Sequence, residues 1–255
     1  MSETAQNTQV EGQQYQKQQL LLSLCRAARA GGLREASDAL SQGADVNGVC
    51  RLKGECDGRG KVTPLIVATK YRNASIVRLL LDAGADPEKR AKADGEAAVH
   101  AAASGGAWRE ARGLGDILLL FKRQVGGARN ISTLRELVHG GADVEATMLG
   151  GQSPLHVAAA NDNAEAIEVL IAAGARVDVR CPPGSPDGRT PLCVAAMYGK
   201  VRAVRILLDN NARAEEPLLE AERVSRWPGG GEITWRVLPL LRKRTAQTNH
   251  GCEGE

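Results

Sequence analysis

Aromatic side chains are nearly missing from this chain: they make up 3% of its residues, and only one of them is Phe. Few ring faces are left for stacking bases and few large anchors for a conventional globular core. The core must therefore be assembled from Ala, Leu, Val and Ile. An excess of one charge is missing too. The 33 basic side chains face 30 acidic ones, a formal charge of +3, too weak a field to steer the chain onto nucleic acid by neutralising phosphates. Long apolar runs are absent: stretches such as residues 20–22 and 117–121 fall far short of the ~20 residues that cross a bilayer. No contact with membrane is expected. The polar start Met1-Ser2-Glu3-Thr4-Ala5 has no basic segment leading into an apolar one, so no secretory leader is expected. A cytoplasmic protein is expected, with the nucleus as a further compartment. In that setting the six scattered cysteines, at 25, 50, 56, 181, 193 and 252, read as thiols rather than as a disulfide framework. What is present, 43% hydrophobic and 25% charged residues in 255, belongs to a folded chain.

Internal repetition supplies the organisation. Thr63-Pro64-Leu65-Ile66-Val67-Ala68, Ser153-Pro154-Leu155-His156-Val157-Ala158 and Thr190-Pro191-Leu192-Cys193-Val194-Ala195 are three versions of one segment, and Ala97-Ala98-Val99-His100-Ala101-Ala102 is a worn fourth. After each comes an apolar stretch at helical spacing and a turn such as Gly84-Ala85-Asp86. The interval from first word to turn is identical in three copies: Thr63 to Gly84, Ser153 to Gly174 and Thr190 to Asn211. Thr or Ser at the start of the word is suited to cap a helix, and Pro just inside has no N–H to leave unpaired. Gly84, Gly141 and Gly174 stand where a second helix ends, a place that favours a left-handed residue; Asn211 is the next best choice there.

These words and this spacing resemble the ankyrin repeat, and the resemblance covers residues 20–214. It implies an all-α fold: an elongated right-handed α-solenoid of ankyrin repeats with hairpin loops. The first unit, with Leu24-Cys25-Arg26-Ala27-Ala28 and Gly43-Ala44-Asp45-Val46-Asn47 but no Thr-Pro-Leu-His, reads as a capping repeat. Glu216-Pro217-Leu218-Leu219-Glu220-Ala221 echoes the first word, so residues 215–245 are expected to form a degenerate C-terminal cap with 235–241 as its second helix. The Gln-rich head, 1–19, and the tail, 246–255, are expected to be disordered.

Three departures from a unit of about 33 residues stand out. The first hairpin carries eight extra residues around 51–61, and the one after Gly174 carries four, including Cys181-Pro182-Pro183-Gly184. The third repeat is longer by 23, so that Ala97 to Gly141 is more than twice the interval from Thr63 to Gly84. This long insertion, near 107–130, contains Trp108, Arg109, Arg112, Lys122 and Arg123 and has the composition of a recognition element for an acidic surface. Its apolar run 117–121 is expected to supply the core of the repeat's second helix. Whether the repeat holds a lengthened helical pair, or a second helix followed by a half-repeat from Ile131 to Gly141, stays open at this point.

No constellation for catalysis is apparent. Cys50 and Cys56 lack the CxxC spacing and the nearby His that a structural zinc needs; ordinary exposed thiols are expected, and no metal or cofactor. The resemblance implies that His100 and His156 serve hydrogen bonds between adjacent loops. The Gly pairs at 105–106 and 126–127 and the Gly run at 229–231 lack the Lys-Ser/Thr ending of a phosphate loop.

The resemblance also implies a long concave protein-binding face, formed by finger tips and first helices, on which a partner is captured. Residues just after each first word end that helix: Lys70, Tyr71 and Arg72; Asn161, Asp162 and Asn163; Met197, Tyr198 and Lys200. Tyr71 and Tyr198 hold equivalent places and are candidate anchors. A non-enzymatic, monomeric adaptor or inhibitor that captures another protein is the expected function. The alternative is a substrate receptor of a ubiquitin ligase, with Leu238-Pro239-Leu240-Leu241 faintly like part of a recruiting box.

Overall fold

The computed structural model describes residues 2–50, 62–90, 95–104, 131–148, 150–181, 188–226 and 234–250. Among them the chain is all-α. The helices are α1 (Ser2–Ala30), α2 (Leu33–Ser41), α3 (Pro64–Lys70), α4 (Ala74–Asp82), α5 (Ala98–Ala103), α6 (Ser132–His139), α7 (Pro154–Ala160), α8 (Ala164–Ala172), α9 (Pro191–Met197), α10 (Val201–Asp209), α11 (Glu215–Ser225) and α12 (Leu238–His250). None is long and apolar enough to cross a membrane. The extended pairing is one antiparallel bridge between Cys50 and Val62.

The helices fall into two compact units. The first contains α1 to α4, α5 as far as Ala102, and α6 with its turn to Asp143; the second runs from Val144 and takes in α7 to α12. In the first, α1 packs on α2 and α3, and α4 on α3 and α6. In the second, α7 pairs with α8, α9 with α10 and α11 with α12, and α9 also touches α7 and α11.

Each start and stop has a local cause. Thr63 Oγ1 accepts the Ile66 N–H and Thr190 Oγ1 the Cys193 N–H, both at 3.3 Å, with Pro64 and Pro191 opening α3 and α9. The second helices end in left-handed turns at Gly43, Gly84, Gly141 and Gly174, with φ between 81° and 95°, and at Asn211 with φ 63°. No side-chain position is crowded at Gly84, Gly141 or Gly174. Glycine is needed there for its backbone freedom alone.

The turns are tied to one another by a repeated bond. The side chain four places past each turn residue accepts a backbone N–H two places past the next one: Asn47 from Asp86 (2.8 Å) and Glu88 from Asp143 (2.8 Å) in the first unit. In the second, Glu145 accepts from Arg176 (2.8 Å) and Asp178 from Arg213 (3.1 Å). A carboxylate or amide oxygen thus satisfies a turn N–H that the helices leave over.

Several expectations are corrected. The head does not read as disordered: α1 begins at Ser2, since Gln, Glu and Lys are good helix formers and the helix is anchored by Leu21, Leu24, Cys25 and Ala28, all buried on one face. Residues 12–19 of it face solvent. At the other end α12 reaches His250, past the expected limit of 245. Within the cap α11 lies where expected, but the second helix starts at Leu238 rather than 235, and Trp235, 58% exposed, precedes it. The helix that leads into the Gly141 turn is α6, whose core is Leu134 and Leu137, both 0% exposed and three apart on one helical face. The insertion 107–130, with residues 117–121 that were expected to supply a helix core, lies outside the described residues.

Candidate partner-binding face

The residues that follow each first word form a tight link between two helices, and most have a structural task. In the first unit, Lys70 closes α3 with Nζ 3.2 Å from Oε2 of Glu96, which is 1% exposed. Its charge is committed inside the repeat stack rather than offered to solvent. Tyr71 is the C-terminal cap of α3 and stays 40% exposed. The Arg29 guanidinium lies 5.4 Å from the centre of its ring, within range of a cation–π contact. Arg72 takes the left-handed position with φ 62°. Asn73, next in the chain, donates from Nδ2 to Ala28 O at 2.7 Å.

In the second unit Asn161 caps α7, donating to Val157 O at 2.8 Å. Asp162 has φ 52°, and its Oδ1 accepts the Ala203 N–H at the start of α10 (2.9 Å). Asn163 is 1% exposed and donates to Ala103 O at 3.0 Å. It repeats the task of Asn73, so its place among the partner-contacting residues is corrected: a side chain buried to that degree offers no surface. Met197 and Tyr198, the last residue and cap of α9, and Lys200, at the start of α10, are half-buried. Trp108, Arg109, Arg112, Lys122 and Arg123 lie outside the described residues.

The histidines are structural. His100, 0% exposed, accepts the Ala97 N–H at Nδ1 (3.3 Å). His156 Nδ1 lies 3.2 Å from Ser153 N and 2.9 Å from Ser153 Oγ, a capping box at the start of α7. Because the Ser153 N–H can only donate, Nδ1 carries no proton, and Nε2–H donates to Arg189 O at 2.9 Å. Burial holds the imidazole below its ordinary pKa, against the smaller upward effects of the Arg189 carbonyl and the Glu145 charge. Cys181 Sγ lies 3.7 Å from the same Nε2. A thiol beside a histidine resembles a catalytic pair, yet Nε2 already bears its proton and directs it at a carbonyl, so it is not disposed to act as base toward the sulfur. Burial also pushes the Cys193 thiol up, which favours its protonated form. No group of three His, Cys, Asp or Glu side chains suited to a metal ion occurs among the described residues.

Three features escaped sequence reasoning. Arg29 lies on the first repeat, which has no recognisable word, and only its interval to Gly43, equal to that from Lys70 to Gly84, marks it. Asn73 and Asn163 stand at one and the same interval before their turn glycines, Gly84 and Gly174, a signal that was readable. Cys50, expected as an exposed thiol, is 5% exposed with Sγ 2.7 Å from that of Cys25. The Cys50–Val62 bridge pulls it inward.

Profiles of known families match two stretches: one described as ankyrin repeats in three copies over residues 125–217, and one as the ankyrin repeat over residues 61–92. Among individual proteins, the chain is 31% identical over 217 residues to a human mitochondrial disaggregase, a match covering 81% of this chain and 29% of that protein. It is 45% identical over 69 residues to mouse protein phosphatase 1 regulatory subunit 12A (27% of this chain, 6% of the other). A third relative, a Caenorhabditis elegans homologue of transient receptor potential cation channel subfamily A member 1, is 31% identical over 161 residues (59% and 13%). The chain spans less than a third of the length of each. The profile matches fall on the same words and turns found here from the residues upward, and the chain belongs to the ankyrin-repeat family.

Proposed function

We propose that this chain is a protein-binding adaptor or inhibitor that captures a partner protein on the ends of its first helices, without catalysing a reaction. Ankyrin repeats imply protein–protein interaction. The observation that carries the finer reading is Tyr71. It stays 40% exposed with Arg29 over its ring, while its neighbours Lys70 and Asn73 are used by the stack itself. An exposed aromatic ring pre-ordered by a cation has the character of an interface anchor, since little freedom remains to be lost on binding. Tyr198 holds the equivalent cap in the second unit. We place the protein in the cytoplasm, with access to the nucleus, and read it as a monomer.

The ligase-receptor reading has less support. Leu241, 0% exposed, is spent on packing within the cap, which leaves the faint recruiting box one side chain fewer to offer.

The test is capture with the intact chain as bait, compared with Tyr71→Ala and Tyr198→Ala. Each substitution is expected to weaken the same captured partner by about 30-fold, the size of an interface hot spot of roughly 2 kcal/mol, with an unchanged melting temperature. Undiminished capture by both variants would refute the proposal. A ligase subunit among the captured proteins, lost on removing residues 215–255, would favour the alternative.

A further inference from the structure

We propose that Cys25 and Cys50 form a reversible disulfide, a modification site that fastens α1 of the first repeat to the Cys50–Val62 bridge. Their sulfurs lie 2.7 Å apart. That is inside the ~3.5–4.0 Å at which non-bonded heavy atoms rest and about 0.7 Å beyond a disulfide bond. The meeting follows from the repeat. Cys25 precedes Gly43, and Cys50 follows it, by the same intervals at which His156 precedes and Cys181 follows Gly174; that second pair approaches too, at 3.7 Å. This position on a first helix faces the same position in the following hairpin. Where most copies place His, Ile or other side chains at these sites, the first repeat alone places Cys at both. The backbone already holds the second sulfur in place, because Cys50 N–H bonds Val62 O and Val62 N–H bonds Cys50 O, both at 3.0 Å.

The oxidant is a low-molecular-weight disulfide such as oxidised glutathione. Cys50, 5% exposed as a residue against 0% for Cys25, is the cysteine taken to react first. As thiolate it attacks one glutathione sulfur, the glutathione disulfide bond breaks, and the first glutathione leaves as thiolate. The Cys25 thiolate then attacks the Cys50 sulfur of the mixed disulfide, closing the Cys25–Cys50 bond and expelling the second glutathione. Two protein thiols are oxidised, one glutathione disulfide is reduced, and the two protons given up by the protein are taken by the two glutathiones. Reduced glutathione in excess reverses both steps. The bond joins α1 to the Cys50–Val62 bridge, beside the sequence insertion at 51–61.

The experiment uses the full chain equilibrated in glutathione buffers from reducing to oxidising, then blocked with a maleimide under denaturing conditions, digested with trypsin and analysed by mass spectrometry. Trypsin separates the three nearby cysteines, placing Cys25 in residues 18–26, Cys50 in 35–51 and Cys56 in 54–59. The expected product in oxidising buffer is peptide 18–26 joined to 35–51, in the wild type and in Cys56→Ser alike. The oxidised chain should melt roughly 5–10 °C above the reduced one. Cys25→Ala and Cys25→Ser should each leave Cys50 carrying glutathione and show no such rise. Three results would overturn the proposal: all cysteines still maleimide-modified after oxidising buffer, Cys50 joined to Cys56 instead, or stoichiometric zinc released when the thiols are blocked.

Discussion

Acid should destabilise this protein through one buried imidazole, and the effect can be sized. His156 is 1% exposed and bound at both nitrogens, to Ser153 and to Arg189 O. Burial lowers its pKa from the ordinary 6.5. In the unfolded chain the group regains that ordinary value, so between the folded value and 6.5 the unfolded state binds a proton that the folded state refuses. Unfolding then takes up a proton, and stability falls with falling pH. The contribution is fully present above pH 6.5, is lost at up to about 1.4 kcal/mol per pH unit below it, and levels off once the folded imidazole itself protonates. His156→Ile removes the titration, and the chain already uses Ile66 at the equivalent place, at 0% exposure. The variant should start about 1–3 kcal/mol less stable at neutral pH, having lost the bonds to the Ser153 N–H and the Arg189 carbonyl. Denaturant unfolding of both proteins at about pH 7.5, 6.5 and 5.5 measures the gap, which should narrow as pH falls below 6.5. A gap that is constant across that range would refute the reasoning.

Two further outcomes test the repeat itself. Gly174→Ala should cost about 1–2 kcal/mol of stability by denaturant unfolding, because φ is 95° while no neighbour meets the added methyl. Leu134→Ala should cost about 2–5 kcal/mol by the same measurement, because this 0%-exposed side chain of α6 is core; a loss below about 1 kcal/mol would refute that.

The fold was legible because the repeat writes its punctuation several times over. Thr63, Ser153 and Thr190 cap helices, and Gly43, Gly84, Gly141 and Gly174 turn left-handed, as residue type alone demands. Copies that agree make the architecture readable even where one is worn. The face for a partner was less legible, because the residues after each word look alike on paper and differ in space. Asn163 reads as a surface polar residue, yet the Ala103 carbonyl draws it to 1% exposure. Lys70 reads as a free cation, yet it lies against Glu96, at the threshold of the worn repeat that follows. The Cys25–Cys50 approach stayed hidden for another reason: its register shows only when His156 and Cys181 are seen to meet at the same offsets.

Comparison of the repeats with one another points to where individuality resides. Four places past each turn, Asn47, Glu88, Glu145 and Asp178 all present an oxygen to a backbone N–H, so that place accepts only side chains able to do so. Eleven before the turn, Asn73 and Asn163 are fixed by a carbonyl each. Thirteen and fourteen before it, no such demand recurs. The residues there are Arg29 and Ala30, Lys70 and Tyr71, Ala160 and Asn161, Met197 and Tyr198: cationic, small, amide, thioether and phenolic side chains in one structural position. Within this set Lys70 is held to Glu96 and Asn161 to the Val157 carbonyl, whereas Tyr71 keeps 40% exposure. We propose that the exposed members of the set, Tyr71 first among them, are the ones that can suit a particular partner without loss of the bonds that hold the helices.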